Sequence, residues 1–384
     1  MRDLDLDHNV RPALRTPAPK LMRRAAFGVA ACLSFSLAAC NSAPDKPSPV
    51  ANAVANATAA VRADDDMKTV LDAYAALDPK AIEKVDVPTA RAQPTIADAV
   101  NSVLKTQGRS TSPQALVPGV TSRDITVQGA AGSLPATVYK PAGNGPFPVV
   151  TYFHGGGWVI ADRKVYDGGA RGLAKAANAI VVSVDYRRAP EARFPAAWDD
   201  AFASYKWVAS HAASLGGDPK RLALAGESAG GNLAVATAIA ARDANAPKPL
   251  AVIAVYPVAQ TGSMNTESYI ENAVAKPLNK PMIAWFLDKL LRTPADKQDT
   301  RLDLVHANLA GLPPVTIINA RIDPLRDDGA QLQKAIAAVN GPVDRRVYDG
   351  VTHEFFGTAA VVQKAKDAQQ YAGTRLQQAF GTGQ

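Results

Sequence analysis

The segment Arg221-Leu222-Ala223-Leu224-Ala225-Gly226-Glu227-Ser228-Ala229-Gly230-Gly231-Asn232 decides the fold. Residues 221–225 form a short apolar run of the kind that makes a buried strand, and residues 229–243 form an alanine-rich stretch of helix length. Between them, Gly226-Glu227-Ser228-Ala229-Gly230 matches G-x-S-x-G. The match alone is weak, because ordinary Gly and Ser frequencies produce it about once in ten chains of this length. A Gly-rich packing turn with a capping serine is the competing reading of the motif by itself. The strand-turn-helix context makes it informative. A serine held on a sharp, strained turn needs flanking residues without bulk, because strand and helix backbones crowd them, and Gly226 and Gly230 meet that need.

Outward from this turn, the chain alternates β-rich and helical runs from about residue 122. Segments 125–127 and 136–139 flank a Gly-containing turn and predict an antiparallel hairpin. Strands follow at 148–153, 180–185, 221–225, 250–256, 315–319 and 345–348, with helices at 170–177, 195–213, 229–243 and 329–339 between them. Uninterrupted Val/Ile/Ala strands separated by helices predict an α/β fold with a mostly parallel sheet covered on both faces. Segments 67–107, with Pro79, Pro88 and Pro94 as helix breakers, and 261–309 do not fit the alternation. The second far exceeds a normal crossover, and its cluster Met282, Ile283, Trp285, Phe286, Leu287, Leu290 and Leu291 has helical spacing. Both are expected to form a helical cap over one edge of the sheet, with approximate bounds 64–115 and 261–309 inside a domain covering 64–384.

Of 384 residues, 47% are apolar, 20% charged and 6% aromatic, which excludes a disordered or collagen-like chain. The two cysteines, Cys32 and Cys40, lie near the N-terminus, so the body holds no disulfide framework, thiolate metal site or cysteine nucleophile. Removing residues 1–39, with six basic and three acidic side chains, takes the net charge from +7 to +4. No basic cluster with interleaved aromatics remains, so nucleic acid is not an expected partner.

Residues 1–39 read as a leader. Arg23-Arg24 precedes the uncharged, mostly apolar run 25–39, which is too short to span a bilayer and ends Leu37-Ala38-Ala39-Cys40. Small residues before a cysteine resemble the lipobox of bacterial lipoproteins, which implies cleavage before Cys40 and lipidation of its thiol. Residues 40–63 are rich in Ala, Asn, Ser and Pro without an apolar stripe and predict a flexible tether, which tells against a core helix that ends in cysteine by chance. The expectation is an exported, membrane-anchored protein in the outer membrane, facing the periplasm or cell surface. Met22, directly before the Arg pair, is a better start for such a leader than Met1.

The remaining motifs sit at strand ends. His154-Gly155-Gly156-Gly157-Trp158 follows strand 148–153. Backbone N–H groups can be aimed at a developing oxyanion only where no side chain blocks the approach, so Gly155 and Gly156 are the expected donors, with the N–H of Ala229 at a helix N-terminus as the third. A phosphate nest is the competing reading, but neither a Walker nor a dinucleotide glycine pattern is present here. Downstream, Asp323 lies closest to the end of strand 315–319, while Asp327 and Asp328 read as N-cap and first-turn residues of the next helix. Of five histidines only His353, past strand 345–348, fits the position of a general base.

Together HGGGW at 154–158, YRRAPEARFPAAWDD at 186–200, GESAGGN at 226–232, DPLRDDG at 323–329 and HEFF at 353–356 resemble the hormone-sensitive-lipase-like (bacterial family IV) esterases and lipases of the α/β-hydrolase fold. The resemblance implies a carboxylester hydrolase with Ser228, Asp323 and His353 as its triad and Gly155, Gly156 and Ala229 as its oxyanion hole. It implies a small uncharged ester of short to medium acyl chain as substrate and no metal, nucleotide or flavin cofactor. Trp158, Trp285, Phe286 and Phe355 are candidates to narrow the acyl pocket or merely to pack, and Glu227 either supports the elbow by hydrogen bonding or is a simple polar neighbour. Glu354 departs from the family, whose members usually carry glycine after the histidine. An arylformamidase-like amide hydrolase would use the same residues. A non-catalytic ligand-binding member, such as the plant gibberellin receptors, would lack the histidine that stands here, and an intact triad tells against a decayed structural lipoprotein.

Overall fold

The computed structural model describes residues 62–382. The expected leader, the expected lipidation site Cys40 and all but the last two residues of the expected tether lie outside the described residues.

Eight strands form one sheet in the order β1-β2-β4-β3-β5-β6-β7-β8. The strands are β1 Val120–Gly129, β2 Gly132–Pro141, β3 Phe147–Phe153, β4 Ile180–Val184, β5 Gly217–Glu227, β6 Val252–Val255, β7 Val315–Ile322 and β8 Val343–Thr352. β1 pairs with β2, and β2 with β4, antiparallel; every other pairing is parallel. The predicted α/β architecture with an N-terminal hairpin is present. The hairpin is longer than its apolar residues suggested, because Thr121 to Asp124 are exposed and polar yet remain hydrogen-bonded to β2.

Alternation along the inner strands divides the core. In β5, Leu222 and Leu224 join a cluster with α6 (Ala196–His211), α7 (Ala229–Asp243) and α10 (Arg326–Ala338), whereas Ala223 and Ala225 join one with α5 (Asp167–Ala177) and α11 (Gln363–Phe380). In β6, Val252 and Ala254 face the first cluster while Ile253 and Val255 face the second. Residues two apart on a strand share a face, so this doubly covered sheet buries both sets at once.

The two irregular segments do not form one layer. α1 (Asp65–Ala76) and α3 (Ile96–Thr106) bury Met67, Val70, Ile96 and Leu104 in the second cluster. Only the middle, Ile82 and α2 (Val87–Arg91), packs in the first cluster with the apolar face of α9 (Lys280–Leu290). Pro88 does not break a helix but sits in the first turn of α2, where a missing N–H is harmless, and Asp86 caps that turn at 2.9 Å from the Thr89 N–H. α3 begins with a reciprocal Thr95–Asp98 capping box.

α5 and α11 approach closely because Gly373 lacks a side chain: a Cβ there would lie 2.5 Å from the backbone carbonyl of Ala176. Replacing a helical glycine by alanine ordinarily adds up to about 1 kcal/mol of stability. Here Gly373→Ala is expected to destabilise by roughly 1–3 kcal/mol through overpacking. Urea denaturation checks this, and a higher midpoint for the variant would refute the close contact.

Candidate active site

β5 ends at Glu227 and α7 begins at Ala229, which leaves Ser228 alone on the turn with φ 57° and ψ −118°. Such a conformation costs a non-glycine residue about 1–3 kcal/mol and persists only where neighbours hold it. The Ser228 N–H donates to the Val255 carbonyl at 2.8 Å, and the Ser228 carbonyl accepts from the N–H groups of Asn232 and Val258 at 3.2 and 3.3 Å. A Cβ on Gly226 would lie 2.1 Å from the Gly230 carbonyl oxygen, and one on Gly230 would lie 2.0 Å from that of Phe153. The strained turn expected from G-x-S-x-G is therefore present, pressed against the end of β3.

Asp323 directly follows β7 and His353 directly follows β8. His353 Nδ1 lies 2.8 Å from Asp323 Oδ2, and Nε2 lies 2.9 Å from Ser228 Oγ. A carboxylate beside Nδ1 assigns the proton to that nitrogen, leaving Nε2 to accept the serine hydroxyl. Asp323 Oδ1 in turn accepts the Leu325 N–H at 2.8 Å. All three side chains are buried. Burial alone pushes the His353 pKa down, but the charge and hydrogen bond of Asp323, with Glu354 and Glu227 nearby, outweigh it and raise the pKa above the usual imidazole value. His154 is buried in the glycine motif, His211 stacks on Trp207, and His306 pairs with Asp303 in the insertion. Among the described residues, His353 is the histidine that reaches Ser228.

The glycine motif runs beside the elbow. A Cβ on Gly155 would meet the Tyr166 hydroxyl at 2.3 Å, and Gly156 has φ 95° with its missing Cβ 2.2 Å from the Ile160 carbonyl oxygen. The loop is held by Tyr186, whose hydroxyl donates to the His154 carbonyl at 2.9 Å and whose ring stacks on His154 at 4.3 Å. The N–H groups of Gly155, Gly156 and Ala229 donate to no protein acceptor among the described residues. Unclaimed donors on a side-chain-free loop suit a negative oxygen.

Ser228 opens into a narrow, mostly apolar cavity whose lining includes no charged side chain. Trp158 and Phe286 border it, as two of the four candidate pocket aromatics. Trp285 and Phe355 do not. Trp285 packs edge-on to Phe286 from the half-exposed side of α9, and Phe355 is buried in the second core cluster against Tyr256 and Tyr348. Adjacent positions on a helix face different directions, so Phe286 turned inward excludes Trp285. The insertion adds Met264, Tyr269 and Leu278 to the lining. Met264 and Leu278 lie in irregular chain on either side of the five-residue α8 (Glu267–Glu271), which carries Tyr269 and is too short for periodicity to mark it.

Residues 150–357 match the family described as the α/β hydrolase fold. The chain belongs to that family. It is 38% identical over 281 residues to the carboxylesterase NlhH of Mycobacterium tuberculosis, covering 71% of this chain and 88% of that one. It is 37% identical over 306 residues to the esterase LipI of the same species, covering 77% and 93%. Among solved structures, an esterase of Pyrobaculum calidifontis superposes with a TM-score of 0.70 at 34% identity, covering 77% of this chain and 94% of that one. The resemblance to hormone-sensitive-lipase-like esterases read from the five motifs is borne out.

In this hydrolase two acids have structural roles that their sequence neighbourhood concealed. Asp327 and Asp328 do lie in the first turn of α10, but the N-cap position belongs to Leu325 and neither carboxylate caps the helix. Fully buried Asp328 accepts from the N–H groups of Ala259 and Gln260 at 3.0 and 3.3 Å and from the Gln260 amide at 3.3 Å, fixing the strand-exit backbone that borders the cavity. Burial pushes its carboxyl up to about 7 against these donors. Asp327 accepts the Ser268 N–H at 2.8 Å. The Ser268 hydroxyl donates to the Pro324 carbonyl at 2.6 Å, the Asn272 amide to the Asp323 carbonyl at 3.2 Å, and Arg326 pairs with Glu271 at 2.6 Å. α8 is thus fastened to the turn that carries Asp323. Glu227 is also no simple polar neighbour: its buried carboxylate accepts from the hydroxyls of Tyr152 and Tyr256.

Asp328→Ala strands two buried backbone N–H groups, which costs on the order of 2–6 kcal/mol. Asp327→Ala strands one, that of Ser268, and loses a partly exposed ion pair with Arg326, which together cost about 1–3 kcal/mol. Equilibrium denaturation of the two variants should separate them in that order, and equal losses would contradict the anchoring role of Asp328.

Proposed function

We propose that this hydrolase cleaves uncharged carboxylic esters of short to medium acyl chain, with Ser228 as nucleophile, His353 as general base and Asp323 as the acid that orients it. The observation that carries this reading is the unbroken hydrogen-bond chain Asp323–His353–Ser228, which ends on a hydroxyl at the wall of an apolar cavity. Ser228 Oγ attacks the ester carbonyl carbon as its proton passes to His353 Nε2, and Asp323 stabilises the imidazolium. The charge that gathers on the former carbonyl oxygen meets the N–H groups of Gly155, Gly156 and Ala229, the last favoured by its place at the start of α7. Collapse expels the alcohol, which takes the proton from the imidazolium and leaves Ser228 acylated. Water then gives a proton to the same nitrogen, attacks the acyl carbon and releases the carboxylic acid as Ser228 recovers its proton. The relatives named above are a carboxylesterase and esterases, which supports ester over amide. A lining without charged side chains favours an uncharged acyl group, and Trp158 with Phe286 limits its length.

The N-terminal pattern supports a location as well. We infer that the mature chain begins at Cys40 and is held to a membrane by lipid on that thiol, with the hydrolase domain exported from the cytoplasm. Mass spectrometry of the mature protein extracted from membranes should find Cys40 as a diacylated first residue. A free thiol there, or an intact leader, would end this reading.

Assays on nitrophenyl esters from acetate to palmitate test the chemistry. Ser228→Ala and His353→Ala are each expected to lower kcat by roughly six orders of magnitude. Asp323→Asn, which leaves the imidazole in the wrong tautomer, should lower it by about four. Full turnover in folded Ser228→Ala would eliminate the mechanism.

A further inference from the structure

Beside His353 lies a largely buried polar cluster that the proposed chemistry does not use. Its carboxyls are buried Glu227 at the end of β5 and half-buried Glu354 directly after His353, and its phenols are Tyr152 on β3, Tyr166 before α5 and Tyr256 after β6, all three buried. Tyr256 stacks obliquely on His353 with ring centroids 4.5 Å apart while its hydroxyl donates to Glu227. Tyr166 donates to Glu354 Oε1 at 3.0 Å, and the same hydroxyl stands where a Cβ of Gly155 would be, 2.3 Å from it. One phenol therefore touches both the loop that carries the base and the loop that carries the expected oxyanion donors.

Glu354 is an improbable residue for this place on local grounds. Its φ is 66°, in the left-handed region that favours glycine. Its side chain is half-buried near the buried carboxyl of Glu227, an arrangement that raises the pKa of acids. Burial pushes Glu354 up against the opposing pull of His353 and the Tyr166 hydrogen bond, while burial and the nearby Glu354 hold Glu227 at about 7 despite its two phenol donors. A glycine would relieve both the backbone and the burial. What Glu354 adds is a hydrogen-bond acceptor aimed at Tyr166 and a negative charge next to the imidazole.

Resting on the esterase reading above, we propose that Glu354 is a positioning residue: through Tyr166 it ties the His353 loop to the Gly155–Gly156 loop, and its carboxylate, one residue along the chain from His353, adds to the support that Asp323 gives the imidazolium. The groups facing Glu354 are His353, Asp323 after β7, Glu227, Tyr166 and Tyr74 on α1. None of the other phenols replaces the Tyr166 contact. With the negative charge removed, the imidazole loses a partner that favours its protonated form. Its ionisation then moves down, whereas loss of the Tyr166 hydroxyl alone leaves that charge in place.

Two measurements test this on the full folded domain. In the first, the His353 imidazole is titrated by NMR in the wild type, Glu354→Gln and Tyr166→Phe, a readout that needs no turnover. The wild-type value should lie above 6.5, Glu354→Gln should lower it by roughly half to one unit, and Tyr166→Phe should leave it nearer the wild type. In the second, kcat/KM against pH is followed on a nitrophenyl ester. The acid limb rises as His353 becomes neutral, so it should move down with the Glu354→Gln titration, while Tyr166→Phe lowers kcat about three- to tenfold with little change in the limb. Coincident His353 titrations in wild type and Glu354→Gln overturn the charge role, and unchanged kcat in Tyr166→Phe overturns the strut. Persistence of hydrolysis in Ser228→Ala would instead defeat the esterase reading and leave the NMR result to decide the charge role.

Discussion

Where the turn after β5 meets the end of β3, two main chains touch with no side chain between them. Gly230 rests on the carbonyl oxygens of Phe153 and His154, and Gly226 rests on Gly230. Any Cβ at either position would push α7 away from the sheet, carrying the Ala229 N–H away from Gly155 and Gly156. The serine's strained backbone and the approach of the glycine motif are thus two results of one steric constraint. Residue bulk, rather than hydrogen-bond strength, decides whether the donors and the hydroxyl share a site.

The sheet does the rest by register. β5, β7 and β8 run parallel and release Ser228, Asp323 and His353 from the same edge, so three residues far apart in sequence arrive within hydrogen-bond distance. Dipoles add to this placement, because Ser228 stands at the N-terminal end of α7. The helices that cover the sheet contribute little chemistry directly, but their close packing limits how far the three strand ends can drift.

Much of this was legible in the sequence because it depends on local pattern. Buried parallel strands announce themselves as unbroken Val/Ile/Ala runs, and a backbone contact announces itself as glycine where no other residue fits. The choice of Ser228, Asp323 and His353 as candidates followed from strand ends in the same way. What was not legible depends on contacts between distant segments. Asp328 looks like any acid at the start of a helix until Ala259 and Gln260 are seen to donate to it. Trp285 and Phe286 are equivalent in sequence, and only the direction of α9 sends one inward. The arm at 64–115 carries helices of ordinary character, and nothing local divides it between two cores. The ends of β1 and β2 were hidden because their outer residues are polar, although pairing in a sheet requires only backbone.

The fastening of α8 to the turn of Asp323 has a consequence for how the cap can move. Ser268, Asn272 and Glu271 hold the residues that follow β7, and the Arg62 guanidinium, just ahead of the arm, adds hydrogen bonds to Glu271 and Asn272. A cap that swung open as a rigid flap would drag the aspartate with it and break the relay. The position of α8, and with it the cavity wall that Tyr269 forms, is therefore coupled to the position of Asp323. α8 is thereby built into the same wall as the turn that carries Asp323, as a fixed collar and not a separate flap.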